Sequence, residues 1–170
     1  MSKEIKNKVA NSNLKSIDLD SLIPGNERIV FDLKNWLKDE LILIERDFRN
    51  AVKNHDWQQY KDKFVSIQCS NNAIVPDWAF MLISSSLKEN QVENFIGPLE
   101  LMENIIVRNV IYSLNLKEYE KKIVIIKGCS KNSIPKSSYS FLIERLQPIA
   151  KKIMFGEACS SVPIFKTSRN

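Results

Sequence analysis

Tyr60-Lys61-Asp62-Lys63-Phe64-Val65-Ser66-Ile67-Gln68-Cys69-Ser70-Asn71-Asn72-Ala73-Ile74-Val75-Pro76 is restated further along the chain as Tyr119-Glu120-Lys121-Lys122-Ile123-Val124-Ile125-Ile126-Lys127-Gly128-Cys129-Ser130-Lys131-Asn132-Ser133-Ile134-Pro135. Each copy is a β-branched apolar run ending in Cys-Ser, then a short loop, then a proline. Such a run bounded by turn residues predicts a strand, and a proline that fixes φ and lacks an N–H suits the first turn of a helix. The repeated unit is therefore strand, loop, helix. A third Cys-Ser, Cys159-Ser160, follows another apolar run and leads to Pro163. All three cysteines share one local context, which predicts three thiols at one edge of one sheet.

Outward from these stretches the alternation continues. Glu45 to Asn54 spaces Phe48, Ala51 and Val52 as a helix, and Trp78 to Leu87 continues the helix opened by Pro76. Val92 to Ile96 reads as a strand closed by Gly97-Pro98, and Leu99 to Leu114 as a long helix. Strand Ile123 to Lys127, helix Pro135 to Ala150 and strand Ile153 to Phe155 complete the second round. Matches extend well beyond the cysteines: Tyr60 with Tyr119, Val65 with Val124, Ile67 with Ile126, Leu87 with Leu146 and Phe95 with Phe155, at shifts of 59 or 60 residues. Strands alternating with helices predict an α/β fold with a mainly parallel sheet, helices on both faces and an internally duplicated βαβ unit. Ile17 to Asp20 and Arg28 to Asp32, around a Pro24-Gly25-Asn26 turn, read as edge or antiparallel additions. The expected organisation is a single α/β domain over 1–170. Within it, N-terminal edge strands and loops occupy 1–44, a first repeat 45–97 and a second repeat 98–163.

A chain of 170 residues that is 44% apolar and 26% charged has the composition of a folded globular domain. The first residues carry charge without a following apolar run, and no stretch approaches a membrane span of about 18 apolar residues. The expectation is a cytoplasmic protein without membrane association. An odd cysteine count, three, fits a reducing compartment better than a disulfide framework. A net charge of +5 raises the possibility of nucleic acid, but the cations are scattered among acids and no recognised nucleic-acid motif accompanies them. No nucleic-acid partner is expected.

In a parallel sheet, ligands bind beyond the carboxyl ends of the strands. Cys69, Cys129 and Cys159 all follow such ends, and the first two precede helices whose positive ends favour thiolate. Three thiolates make a soft donor set for a metal ion, zinc or iron, or for an iron-sulfur cluster. Asp77, in the first helical turn after Cys69, and Glu157, two residues before Cys159, are the auxiliary ligand candidates. Against this stands the behaviour of a free cysteine as a small buried hydrophobe, and no Cys-x-x-Cys spacing is present. A different reading uses Cys129 alone as the catalytic thiol of a sulfur- or acyl-transfer enzyme, flanked by Lys127 and Lys131. A third is a protein-interaction domain with structural cysteines. His55, before Asp56-Trp57 at the end of a helix, reads as a C-terminal cap or surface contact.

Lys8-Val9-Ala10-Asn11-Ser12, Phe31-Asp32-Leu33-Lys34-Asn35-Trp36-Leu37, Asn54-His55-Asp56-Trp57, Lys127-Gly128-Cys129-Ser130 and Phe155-Gly156-Glu157-Ala158-Cys159-Ser160-Ser161-Val162-Pro163 together resemble the bacterial family DUF2480, found mainly in Bacteroidetes. The likeness covers almost the whole chain, and the last two segments are its most specific parts. The family carries no assigned activity. Its genes often lie beside those of the sulfur-mobilisation system, so the resemblance implies iron-sulfur assembly proteins as partners. Both lines meet in one expectation: an accessory or carrier protein in cluster maturation.

Overall fold

A computed structural model describes residues 13–71, 73–128, 134–157 and 159–167. The chain divides into two compact units, one continuous over 25–105 and the other assembled from 1–24 and 106–170. They are called here the nested and the split unit.

The nested unit runs β2 (Arg28–Asp32), a 3-10 turn (Leu33–Trp36), α2 (Glu45–Asn54), a second 3-10 turn (Trp57–Tyr60), β3 (Phe64–Gln68), α3 (Asp77–Glu89) and β4 (Glu93–Ile96). Its sheet is wholly parallel in the order β2-β3-β4. The split unit begins with β1 (Leu14–Asp18) and the short α1 (Leu19–Leu22). It resumes at Ile106 within α4 (Leu99–Ser113), then a 3-10 turn (Leu116–Glu118), β5 (Ile123–Lys127), α5 (Ser137–Leu146), β6 (Lys152–Phe155) and β7 (Val162–Lys166). Its order is β1-β5-β6-β7, parallel except for the last pair. The fold is thus α/β with mainly parallel sheets. The two N-terminal strands are edges, as expected, and both are parallel. Each serves a different sheet.

A constant shift of 59 residues relates the two units in detail. Asp62 and Lys121, before the central strands, both take the left-handed conformation, with φ of 60° and 56°. Gly97 and Gly156, after the third strands, have φ of 136° and 115° and donate their N–H groups to Ile67 and Ile126 O at 2.9 and 3.0 Å. Asp56 and Asn115 cap the matching 3-10 turns by accepting from Gln58 and Lys117 N. The first strands correspond as well, but at an offset of 14 residues, Leu14 matching Arg28. Phe64 N donates to Glu27 O at 2.9 Å in one unit, and Ile123 N to Asn13 O at 2.8 Å in the other. Strand order follows chain order in both sheets.

The cores follow the same correspondence. In the nested unit Phe48, Val52, Ala79, Ile83 and Leu87 pack on Val65 and Ile67. In the split unit Val107, Ile111, Leu142 and Leu146 pack on Val124 and Ile126. Each fully buried Leu or Ile contributes about 1.5–3 kcal/mol, and the four-residue spacing along α3 and α5 is what turns these side chains toward the sheet.

The units differ at one edge. β7 adds to β6, and its Phe165 pairs with Ile153 and, like Ile143, packs partly buried against the core. At the matching positions the nested unit carries Asn94 and Ser84. Ser84 Oγ donates to Asn94 Oδ1 at 2.6 Å, and Asn94 Nδ2 donates to Val92 O at 3.1 Å. A polar pair therefore finishes the edge where the other unit has an apolar shelf under β7. Short, polar edges of this kind resist unintended pairing.

Candidate functional site

The loop after β3 is held by a small polar network. Asp32, the last residue of β2, accepts from Lys34 N at 3.1 Å and from Ser70 N at 3.1 Å. Partial burial pushes the Asp32 carboxyl up, but hydrogen bonds from the Ser70 side chain and backbone, the Lys34 amide and the Lys34 charge outweigh it and hold its pKa low. Cys69 is half-buried against the core, and its Sγ donates to Asn71 Oδ1 at 3.0 Å. Asn71 Oδ1 also accepts from Ala73 N at 3.2 Å, and Asn71 Nδ2 donates to Glu40 O. Asp77 is exposed in the first turn of α3.

At the corresponding rim of the split unit, residues 128, 134–157 and 159–161 are described. Lys127, ending β5, pairs through Nζ with Glu157 Oε2 at 3.2 Å. Phe155, ending β6, packs edge-on against Tyr139 at 5.5 Å between centroids. A Cβ on Gly128 would meet the Phe155 ring at 2.9 Å, so the missing side chain lets that ring lie across the end of β5. Past Gly156 the chain turns sharply, with Ser160 N donating to Glu157 O at 2.9 Å, and Cys159 is exposed on this turn. Cys129 lies outside the described residues.

Cys69 thus follows a strand of the three-stranded sheet, whereas Cys159 follows a strand of the four-stranded one. The expectation of a single sheet edge for all three thiols is not met. Strand register also aligns Cys69 with Gly128 at a shift of 59, one residue short of Cys129. Among the described residues, no group of three or more His, Cys, Asp or Glu side chains is gathered closely enough to hold a metal ion.

Sequence reasoning missed a second feature. His55 sits at the C-cap of α2, as read, but its ring is enclosed by Trp57, Trp36, Tyr60 and Phe31 at centroid distances of 4.6, 5.0, 5.7 and 5.8 Å. His55 Nε2 is hydrogen-bonded to Tyr60 OH at 2.9 Å. Burial lowers the His55 pKa, against a smaller upward pull from Asp56. The matching positions in the split unit are Leu114, Leu116, Leu22, Tyr119 and Ile17, an aliphatic set around one tyrosine. That aromatic-for-aliphatic exchange was visible in the repeat itself. So was the Phe31-Asp32-Leu33 echo of Ile17-Asp18-Leu19, which marks Asp32.

The profile of one protein family, described as "Protein of unknown function (DUF2480)", matches residues 3–167. The chain belongs to the DUF2480 family. No curated protein and no solved structure matches it. Among the described residues of this DUF2480 chain, no helix is long and apolar enough to cross a membrane.

Proposed function

We propose that this DUF2480 chain is an accessory or carrier protein that binds a metal ion, zinc or iron, or an iron-sulfur cluster at the carboxyl rim of the split unit's sheet. Cys129 and Cys159 are the thiolate donors and Glu157 the auxiliary ligand. The observation that carries the reading is the ladder between β5 and β6. Ile126 pairs with Phe155, and the chain segments leaving the two strands remain close enough for Lys127 and Glu157 to pair at 3.2 Å. Cys129 comes two residues after Lys127 and Cys159 two residues after Glu157, from strands that neighbour each other about 4.8 Å apart.

Two thiolates and a carboxylate leave a fourth position open, as an exchangeable carrier site needs. Ligation by Glu157 would bring the metal cation to the carboxylate that Lys127 now holds through Oε2. Cys69 and Asp77 are left out of this ligand set, because the Cys69 thiol already donates to Asn71 and Asp77 lies exposed in the first turn of α3. Reduced thiols of this kind fit a cytoplasmic protein, and the likeness to the family suggests iron-sulfur assembly proteins as donors or recipients. Anaerobic purification followed by metal and sulfide analysis tests the reading. The native protein is expected to carry iron or zinc that Cys159→Ser loses, and a native protein with only trace metal rejects it.

A further inference from the structure

We infer that the opposite rim of the split unit, at the amino ends of β5 and β6, is a docking surface for an acidic segment of a partner protein. Lys121, Lys122, Lys151 and Lys152 stand there, joined by Lys166 because antiparallel β7 ends at the same side. None of the five forms an ion pair among the described residues. Two of them, Lys121 and Lys151, flank a cleft of about 570 Å3 whose floor is Pro148, Ile149 and Ala150, with Glu120 and Thr167 also lining it.

The duplication supplies an internal comparison. At the same rim of the nested unit, Lys63 pairs with Glu27 at 3.0 Å and Lys88 with Glu93 at 3.4 Å. Glu27, Asp62, Glu89 and Glu93 hold the positions that Asn13, Lys121, Pro148 and Lys152 hold in the split unit. Every one of these four acids has been replaced by a neutral or basic residue at the same place in the same fold. By sequence, the nested unit holds nine cations and thirteen acids, and the split unit sixteen cations and seven acids. Net charges of −4 and +9 therefore divide a chain whose total is +5.

An unmatched cationic rim needs an anionic partner. The composition of the cleft favours carboxylates over nucleic acid. Its cations are lysines without the arginine fork that grips phosphate in a bidentate way. No aromatic side chain lines it for base stacking, and its floor is aliphatic. An extended peptide with glutamates or aspartates flanking a leucine-sized residue satisfies both the charge and the floor.

Fluorescence anisotropy with the full chain and a labelled Glu-Glu-Leu-Glu-Glu-Leu-Glu-Glu peptide provides the test, with an oligothymidylate of equal charge as competitor. The peptide is expected to bind, and to bind more weakly as salt rises. Lys121→Asp with Lys152→Glu, which copies the nested rim, is expected to weaken binding by about tenfold or more. Asp also tolerates the left-handed backbone at 121. The milder pair Lys121→Gln with Lys151→Gln should give an intermediate loss even if the charge reversals disturb folding, and Lys38→Glu in the nested unit should change binding less than about twofold. Absence of peptide binding, equal binding by both Gln and Glu variants and the native chain, or tighter binding of the oligonucleotide would each overturn the assignment. Self-association of the native chain that vanishes in the same variants would give the rim to a second copy and overturn it equally.

Discussion

Ser138 offers the sharpest stability test of the duplication. It is fully buried in the first turn of α5, and its Oγ has no hydrogen-bond partner among the described residues. The matching residue of α3 is Ala79, also fully buried. The other buried serine, Ser66, shows the usual solution: its Oγ donates to Gly97 O at 2.7 Å. A buried hydroxyl without a partner costs about 1–3 kcal/mol. Ser138→Ala removes that cost, gains a few tenths of a kcal/mol in helix propensity, and leaves a void smaller than a methyl group, which returns less than about 1 kcal/mol. The net expectation is stabilisation of about 1 kcal/mol, or roughly 2–4 °C in Tm for a chain of this size. Urea unfolding followed by circular dichroism reads it. The reciprocal Ala79→Ser should cost about 1–3 kcal/mol, and tryptophan fluorescence is suited to it, because Trp36, Trp57 and Trp78 all lie in the nested unit. A clear loss of stability in Ser138→Ala would refute the reasoning, since it would mean the hydroxyl is in use.

His55 has a lowered pKa in the folded state, so the unfolded chain takes up its proton first as pH falls through about 6.5. Stability should therefore decline below that pH, and His55→Leu, which copies Leu114, should remove this part of the decline; Tm measured between pH 5 and 7 by tryptophan fluorescence checks it, and identical slopes would contradict it. Replacing the polar edge pair by Ser84→Ile with Asn94→Ile should create an uncovered apolar shelf beside β4 and concentration-dependent association on sedimentation, where the native edge gives none. Gly156→Ala forces a Cβ into a left-handed position and to 3.0 Å from the Ser160 carbonyl oxygen. It should lower stability by about 1–3 kcal/mol, and an unchanged Tm would show that the turn before Cys159 is not constrained as described.

The alternation of strands and helices was legible because its carriers are local: β-branched runs such as Phe64 to Ile67, the proline before α3, and four-residue spacing of Ala79, Ile83 and Leu87. The duplication was legible for the same reason. What the sequence concealed was pairing between distant segments. Leu14 pairs with Ile123 across more than a hundred residues, and nothing local in Leu14 to Asp18 distinguishes a partner in β5 from one in β2. The separation into two sheets follows from that pairing, and with it the assignment of Cys69 and Cys159 to strands of different sheets. Aligning cysteine with cysteine also required a shift of 60, whereas the backbone repeats at 59.

β7 was missed because Pro163 and the irregular register beside Ile153 and Met154 break the alternation that marks a strand. The His55 enclosure was hidden by reading each repeat for what it shares. Its content lies in the differences, Trp57 against Leu116 and Trp36 against Leu22. The lysine rim went unnoticed for a related reason: scattered along the chain, Lys121, Lys152 and Lys166 look like a solvated surface, and only strand direction brings them to one side.

Cobalt(II) titration of the reduced protein addresses the proposed metal site most directly, because thiolate-to-cobalt charge-transfer absorption reports sulfur ligation itself. The native chain and Cys69→Ser should both develop the band at one equivalent per chain, whereas Cys129→Ser and Cys159→Ser should each lose it. A band that disappears with Cys69→Ser, or a native chain that never develops one, would contradict a metal centre at the rim of β5 and β6.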